Sequence, residues 1–109
     1  MTQITVFKEK GKIWGFECKG HSGYAESGAD IICAAISTLA GSCHLGISKI
    51  LGLAHTFEID ENKGYFKLML KPESAQNQSA QVLLQTFAQS AEELADSHKK
   101  FIKLKIIGG

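Results

Sequence analysis

A histidine and a cysteine stand twelve residues apart in this chain, at His21 and Cys33, on either side of a glycine-rich stretch. The run reads Gly20-His21-Ser22-Gly23-Tyr24-Ala25-Glu26-Ser27-Gly28-Ala29-Asp30-Ile31-Ile32-Cys33-Ala34-Ala35-Ile36-Ser37, with three glycines counting Gly20. A thiol is a useful nucleophile only as thiolate, and a helix N-terminus or a nearby histidine helps to make one. With Asp30 as N-cap, Cys33 takes the third helical position, where the helix dipole and unpaired N–H groups act on its sulfur. A second register takes Ser27-x-x-Asp30 as a capping box, which moves Cys33 further into the helix and weakens the influence of the helix end.

The other two thiols read differently. Cys18 falls on the apolar face of a strand and Cys43 on the buried stripe of a helix, where free cysteines are commonly small core residues. Of the four histidines, His44 lies eleven residues along the same helix as Cys33. It points the same way but sits about 16 Å distant, too far for a direct partner. His55 opens a strand beyond the helix's far end, and His98 closes a second helix as a C-terminal dipole partner. By elimination His21 is the base. Asp30 serves either as helix cap or to orient His21. Ser37, one turn beyond Cys33, bonds the sulfur, the substrate or a backbone carbonyl. The glycines offer open N–H groups for an oxyanion.

Periodicity supplies the scaffold around these residues. Ile4 to Lys10 and Lys12 to Lys19 alternate and form a hairpin joined at Gly11, with Trp14, Phe16 and Cys18 on one face. Gly20 to Asp30 reads as loop. Ile31 to Leu51 is helical, with Ile32, Ile36, Leu39, Cys43, Ile47 and Ile50 on one stripe and Gly52 as its stop. Gly41 and Gly46 inside it give close backbone approach to a sheet or a second subunit. His55 to Asp60 and Tyr65 to Lys71 make a second hairpin, with Phe57, Ile59, Phe66, Leu68 and Leu70 toward the core. Gln78 to His98 is the second helix, with Leu83, Phe87, Ala91 and Leu94 inward, and Phe101 to Ile107 the last strand. The order β-β-α-β-β-α-β predicts an α+β, two-layer, ferredoxin-like plait with an extra N-terminal strand. Its sheet is mostly antiparallel, with two helices on one face.

Composition narrows the class. The 109 residues suit one domain, 1–109. Formal net charge is +1, and all twelve basic residues are lysine. Without arginine or a dense lysine run, a nucleic-acid surface is not expected. Three cysteines, with no Cys-x-x-Cys or His-x-x-x-His pair, argue against a disulfide framework and a structural zinc site, so neither cofactor nor metal is expected. No apolar stretch reads as long enough to span a bilayer and no signal peptide is evident, which predicts a cytoplasmic protein away from membranes.

Gly20-His21 followed by Gly28-Ala29-Asp30-Ile31-Ile32-Cys33-Ala34-Ala35-Ile36-Ser37 resembles the ribosomal-processing cysteine protease family, Prp, and the likeness spans essentially the whole chain. The family pattern is Gly-His, a short Gly-rich loop, then Asp-Ile-Val-Cys-Ala-Ala-Val-Ser. Two valines are isoleucines here, and Ser22 stands where alanine is common. The resemblance implies a homodimeric endopeptidase. Its substrate would be the N-terminal extension of a large-subunit ribosomal protein, cut next to paired phenylalanines. His21 carries over as general base and acid and Cys33 as nucleophile, with Gly20, Asp30 and Ser37 at supporting positions. Two rivals stand beside it. A non-catalytic ribosome-associated assembly module would leave His21 and Cys33 merely structural. A peroxidatic enzyme using Cys33 would need a resolving cysteine, and none is obvious nearby.

Overall fold

Alternation in the first nineteen residues and a two-residue turn begin the sheet. Strands β1 (Thr2–Glu9) and β2 (Lys12–Lys19) meet at Lys10-Gly11, where both residues have positive φ (52° and 76°). That is the pairing that matches the twist of a tight hairpin. The structure, a computed structural model, describes residues 1–20 and 27–109, with side chains for all of these except 27–30. Helix α1 (Ser27–Leu45) continues into a π-helical turn, Gly46–Ile50. Strands β3 (His55–Asp60) and β4 (Tyr65–Leu70) form the second hairpin, followed by helix α2 (Gln78–Ser97) and strand β5 (Ile102–Gly108).

The sheet order is β3-β4-β2-β1-β5. Only β1 and β5 run parallel; the other neighbours are antiparallel. Setting β1 aside leaves the β3-β4-β2-β5 order of a ferredoxin-like plait, with β1 inserted between the two strands that would otherwise be neighbours. The register lines up Ile4, Cys18 and Phe66 in one row and Val6, Phe16 and Leu68 in the next, all on the face that receives both helices. The expected α+β two-layer arrangement is therefore present.

Phe16 centres the core. It is fully buried, stacked on Phe87 of α2 at 3.8 Å and on Phe66 at 5.7 Å. Near the start of α2, the buried Gln81 accepts from the Ile13 N–H (2.9 Å). It donates back to the Ile13 carbonyl (2.8 Å) and to that of Ala75 (3.1 Å). The Asn77 side chain caps α2 by accepting from the Ala80 N–H, and His98 closes it, its N–H bonding the Leu94 carbonyl.

Several expectations shift. The first helix begins at Ser27, so residues 27–30 are helix rather than loop. Its buried stripe is Ile32, Ile36, Ala40, Cys43 and Ile47, while Ile50 is 75% exposed. The π turn explains the last change, since a wider turn rotates the residues after it out of phase. Residues 31–50 are, by length and composition, apolar enough to cross a bilayer, contrary to the sequence expectation. The stripe packs on the sheet instead, and Ser37, Thr38, Ser42 and Lys49 lie outside it. Gly46 serves approach to α2 rather than to a sheet, because a Cβ there would come within 2.6 Å of Leu83 Cδ1. Phe57 and Ile59 share the core face but remain 38% and 53% exposed.

Burial pushes the Cys18 and Cys43 thiols from 9.0 up to about 12, with the neighbouring Glu17 charge adding to the effect at Cys18. The folded state then holds protons that the unfolded chain releases, so stability is complete below pH 9 and falls as pH rises toward 12. Urea midpoints between pH 8 and 10.5 should decline, and Cys43→Ala should decline less steeply than the parent. Separately, Gln81→Ala should cost about 2–4 kcal/mol by stranding the buried Ile13 amide and carbonyl, measurable by urea unfolding.

Candidate active site

The stripe of α1 next to its buried one defines a cleft. Cys33, Ser37, Gly41 and His44 each come one position after a buried residue, and all four line a cavity of about 500 Å³. Ile36 and Ala40 contribute to it from the buried stripe. The opposite wall comes from β3 and β4, through Phe57, Ile59 and Phe66. Cys18, Gly20, Glu61, Gly64 and Tyr65 surround the end where β2 finishes and β4 starts. The volume and largely apolar lining are those of a ligand site.

Three of the predicted site residues meet at this cleft. Cys33 is half-buried on it, the one cysteine of the three not enclosed in the core. Ser37 lies one turn further along the same wall, exposed. Gly20 lines the cleft with φ +95°, and a Cβ there would approach the Met1 carbonyl oxygen at 2.8 Å. Its N–H donates to the Gly64 carbonyl (3.1 Å) and its own carbonyl accepts from the Thr2 hydroxyl (3.3 Å). This position requires glycine, and it fixes the chain one residue before His21. His21 lies outside the described residues, as does the Asp30 side chain.

The expected place of Cys33 at the helix end is corrected. With α1 starting at Ser27, Cys33 is the seventh helical residue and sits in the second turn. The dipole's influence fades within the first turn, and the unpaired N–H groups are confined to it. The observed start lies earlier than the Asp30 N-cap register places it and one residue before the first helical position of the Ser27 capping-box register. Cys33 therefore lies beyond the reach of the helix end.

Cys18 also borders the cleft, although its thiol is buried. Held at about 12, it stays protonated at neutral pH and cannot serve as nucleophile. The Cys43 Sγ points the other way, toward the Leu83 carbonyl at 3.8 Å.

Sequence reasoning missed the far end of the cleft. His44 stacks face to face on Phe57, with ring centroids 3.8 Å apart and planes 13° apart. His55 meets it edge-on at 5.2 Å and Phe66 at 6.3 Å. Burial, reinforced by the charge of His55, lowers the His44 pKa from its ordinary 6.5. The spacing of eleven residues from Cys33 held the signal: three turns exclude direct contact but put both residues on one wall.

Residues 1–103 match the family model described as cysteine protease Prp. A ribosomal processing cysteine protease Prp from Bacillus subtilis is 28% identical over 109 residues, covering 95% of this chain and 96% of its own. One from Staphylococcus aureus is 31% identical over 105 residues, covering 93% and 92%. Among solved structures, a Streptococcus mutans protein superposes with a TM-score of 0.90 at 27% identity, covering 100% of this chain and 96% of its own. The S. aureus Prp crystallised with a substrate peptide superposes at 0.87 and 22% identity, covering 98% and 100%. A cleft that opens one cysteine of three thus sits on the fold of known cysteine proteases, and by the match along its length this chain belongs to the cysteine protease Prp family.

Proposed function

We propose that this protein is a cytoplasmic cysteine endopeptidase that removes a short N-terminal extension from a large-subunit ribosomal protein, cutting next to paired phenylalanines. The observation that carries this reading is the cleft between α1 and β3. It exposes Cys33 beside apolar walls, while the other two thiols are buried and protonated. Relatives from B. subtilis and S. aureus named ribosomal processing proteases support the substrate class, as does a substrate peptide bound to an S. aureus Prp.

The chain's own residues supply the steps. His21, directly bonded to cleft-lining Gly20, takes the proton from the Cys33 thiol. The thiolate forms a C–S bond to the scissile carbonyl carbon, and the carbonyl pair moves to oxygen as an oxyanion. When the C–N bond breaks, His21-H⁺ delivers its proton to the departing amine. Water then attacks the thioester with His21 again accepting a proton, and the thiol is released with the new carboxylate. Ser37 sits where a hydroxyl can donate to the bound peptide, one helical turn from the sulfur. Asp30 and Gly20 act as supports, Gly20 by fixing the chain before His21.

Topology sets the way a peptide enters. β3 is an edge strand of the described sheet, and its Phe57 and Ile59 look into the cleft. An extended peptide can add to such an edge while its alternate side chains drop into the cavity. Substrate reading by β-pairing and apolar contact suits a chain without arginine. The same reading includes a homodimer, checked by a sedimenting mass of two chains.

Cys33→Ala should abolish cleavage of a peptide carrying the extension, monitored by mass spectrometry, and leave thermal unfolding nearly unchanged. Full turnover by this variant would refute the protease reading. His21→Ala should likewise be inactive but folded. In a thiol-labelling time course near pH 8, Cys33 should be alkylated first. Cys18 and Cys43, titrating at about 12, offer roughly one thiolate in ten thousand at that pH.

A further inference from the structure

The cleft does not end at the reacting sulfur. His44 lies eleven residues beyond Cys33 on the same wall, about 16 Å along the helix axis. An extended peptide advances about 3.3 Å per residue, so about five residues separate the two ends. The intervening wall is small, with Ser37, Ala40 and Gly41, and a Cβ built on Gly41 would meet nothing within 4 Å. A peptide lying along α1 from Cys33 would therefore reach the aromatic end unobstructed by that wall.

At that end the walls are flat and apolar on one condition. The His44 imidazole stacks on Phe57 with His55 at its edge, and neutral it offers an aromatic face. Charged, it would have to be solvated within the same half-buried space. The Phe57 face would attract the cation, an effect worth about 0.5–1 kcal/mol at exposed sites. Burial and the like charge of His55 act in the opposite direction, and the net result keeps His44 neutral to lower pH than an ordinary histidine. His55 Nδ1 lies 2.7 Å from the Leu53 carbonyl, so this nitrogen donates and its edge is fixed. Among the described residues that line the cleft, the other ionisable groups are Cys33 on α1, Cys18 on β2, and Glu61 and Tyr65 at the β3–β4 turn. All lie toward the end opposite His55, and β4 brings only Phe66 to the His44 ring.

We infer that His44, with Phe57 and His55, forms a remote specificity subsite. It takes an apolar side chain of the bound peptide about five residues from the cleaved bond, and it closes to such side chains when His44 is protonated. This rests on the proposed peptide cleavage at Cys33, and it adds a residue that selects substrate by pH without touching the reacting atoms. The consequence is a protease that reads two points on its peptide, the pair at the cut and one distant apolar side chain.

Calorimetric titration of the Cys33→Ala protein, which binds peptide without cutting it, isolates this subsite from the chemistry. The probes are synthetic peptides containing Phe-Phe, with leucine or glycine four, five or six residues away on either side. At pH 7.5 one placement of leucine should bind roughly tenfold more tightly than glycine. The preference should disappear on acidification, with a midpoint below 6.5. His44→Phe, flat and without a titrating group, should keep the leucine preference at both pH values. The inference is overturned if no placement of leucine is preferred at pH 7.5, or if His44→Phe loses the preference on acidification as the parent does. Failure of the cleavage reading looks different: the leucine preference persists in binding, yet the parent protein leaves the same peptides intact.

Discussion

Two helices have to cover five strands, and they fall short by about one. Five strands span about 24 Å across the sheet, whereas two packed helices span about 20 Å. The shortfall lands on the two edges, at Ile106 of β5 and, beside α1, on β3. Phe57 and Ile59 have the right face and the wrong coverage, because α1 is drawn toward α2 rather than outward. Gly46 permits that approach, since a side chain there would collide with Leu83. The uncovered apolar strip then faces α1 across a gap, and the gap is the cleft. The site is thus a consequence of how the core closes, and the same packing that centres Phe16 between Phe87 and Phe66 leaves the sheet's edge open.

How far the sequence shows this depends on which physical term is involved. Strand alternation and turn glycines mark both hairpins, and the order of elements leads to the plait, because those signals are local. The edge of that legibility is coverage. Period-two alternation places Phe57 and Ile59 with Phe66 on one face but is silent on what packs over them. The position of β1, inserted between β2 and β5, likewise depends on long-range pairing that no single segment encodes. The helix start is ambiguous in the sequence for a local reason. Gly28 is a poor helix former, which favours a start at Asp30, while Ser27-x-x-Asp30 as a capping box favours a first helical residue at Gly28, and the helix starts earlier than both, at Ser27. Ile50 leaves the expected stripe because a π turn breaks the 3.6-residue period that α-helical spacing assumes.

The thiols illustrate the difference between location and environment. Sequence spacing separates Cys33 from the buried pair, and the structure turns that separation into chemistry: two sulfurs buried at about 12, one bordering open space. It also removes the helix end as the means of activating Cys33. The base proposed for it is His21, the residue that follows cleft-lining Gly20 in the sequence. Only glycine suits that position, with its positive φ and a carbonyl oxygen too close for any side chain.

The two stripes of α1 run side by side, each core residue followed by a cleft residue: Ile32 and Cys33, Ile36 and Ser37, Ala40 and Gly41, Cys43 and His44. One residue turns the helix by about 100°, so anchoring the first of each pair in the core fixes the direction of the second. Cys33 and the distant aromatic wall are therefore held by the same buried contacts, which resist sliding or rotation of the helix. Between them the side chains shrink to a hydroxymethyl group and a hydrogen. A helix patterned in this way acts as a ruler, large and chemically distinctive at its ends and empty in the middle. Its length, set by eleven residues of rise, sets the spacing between the two features a peptide would present under the proposed two-point reading.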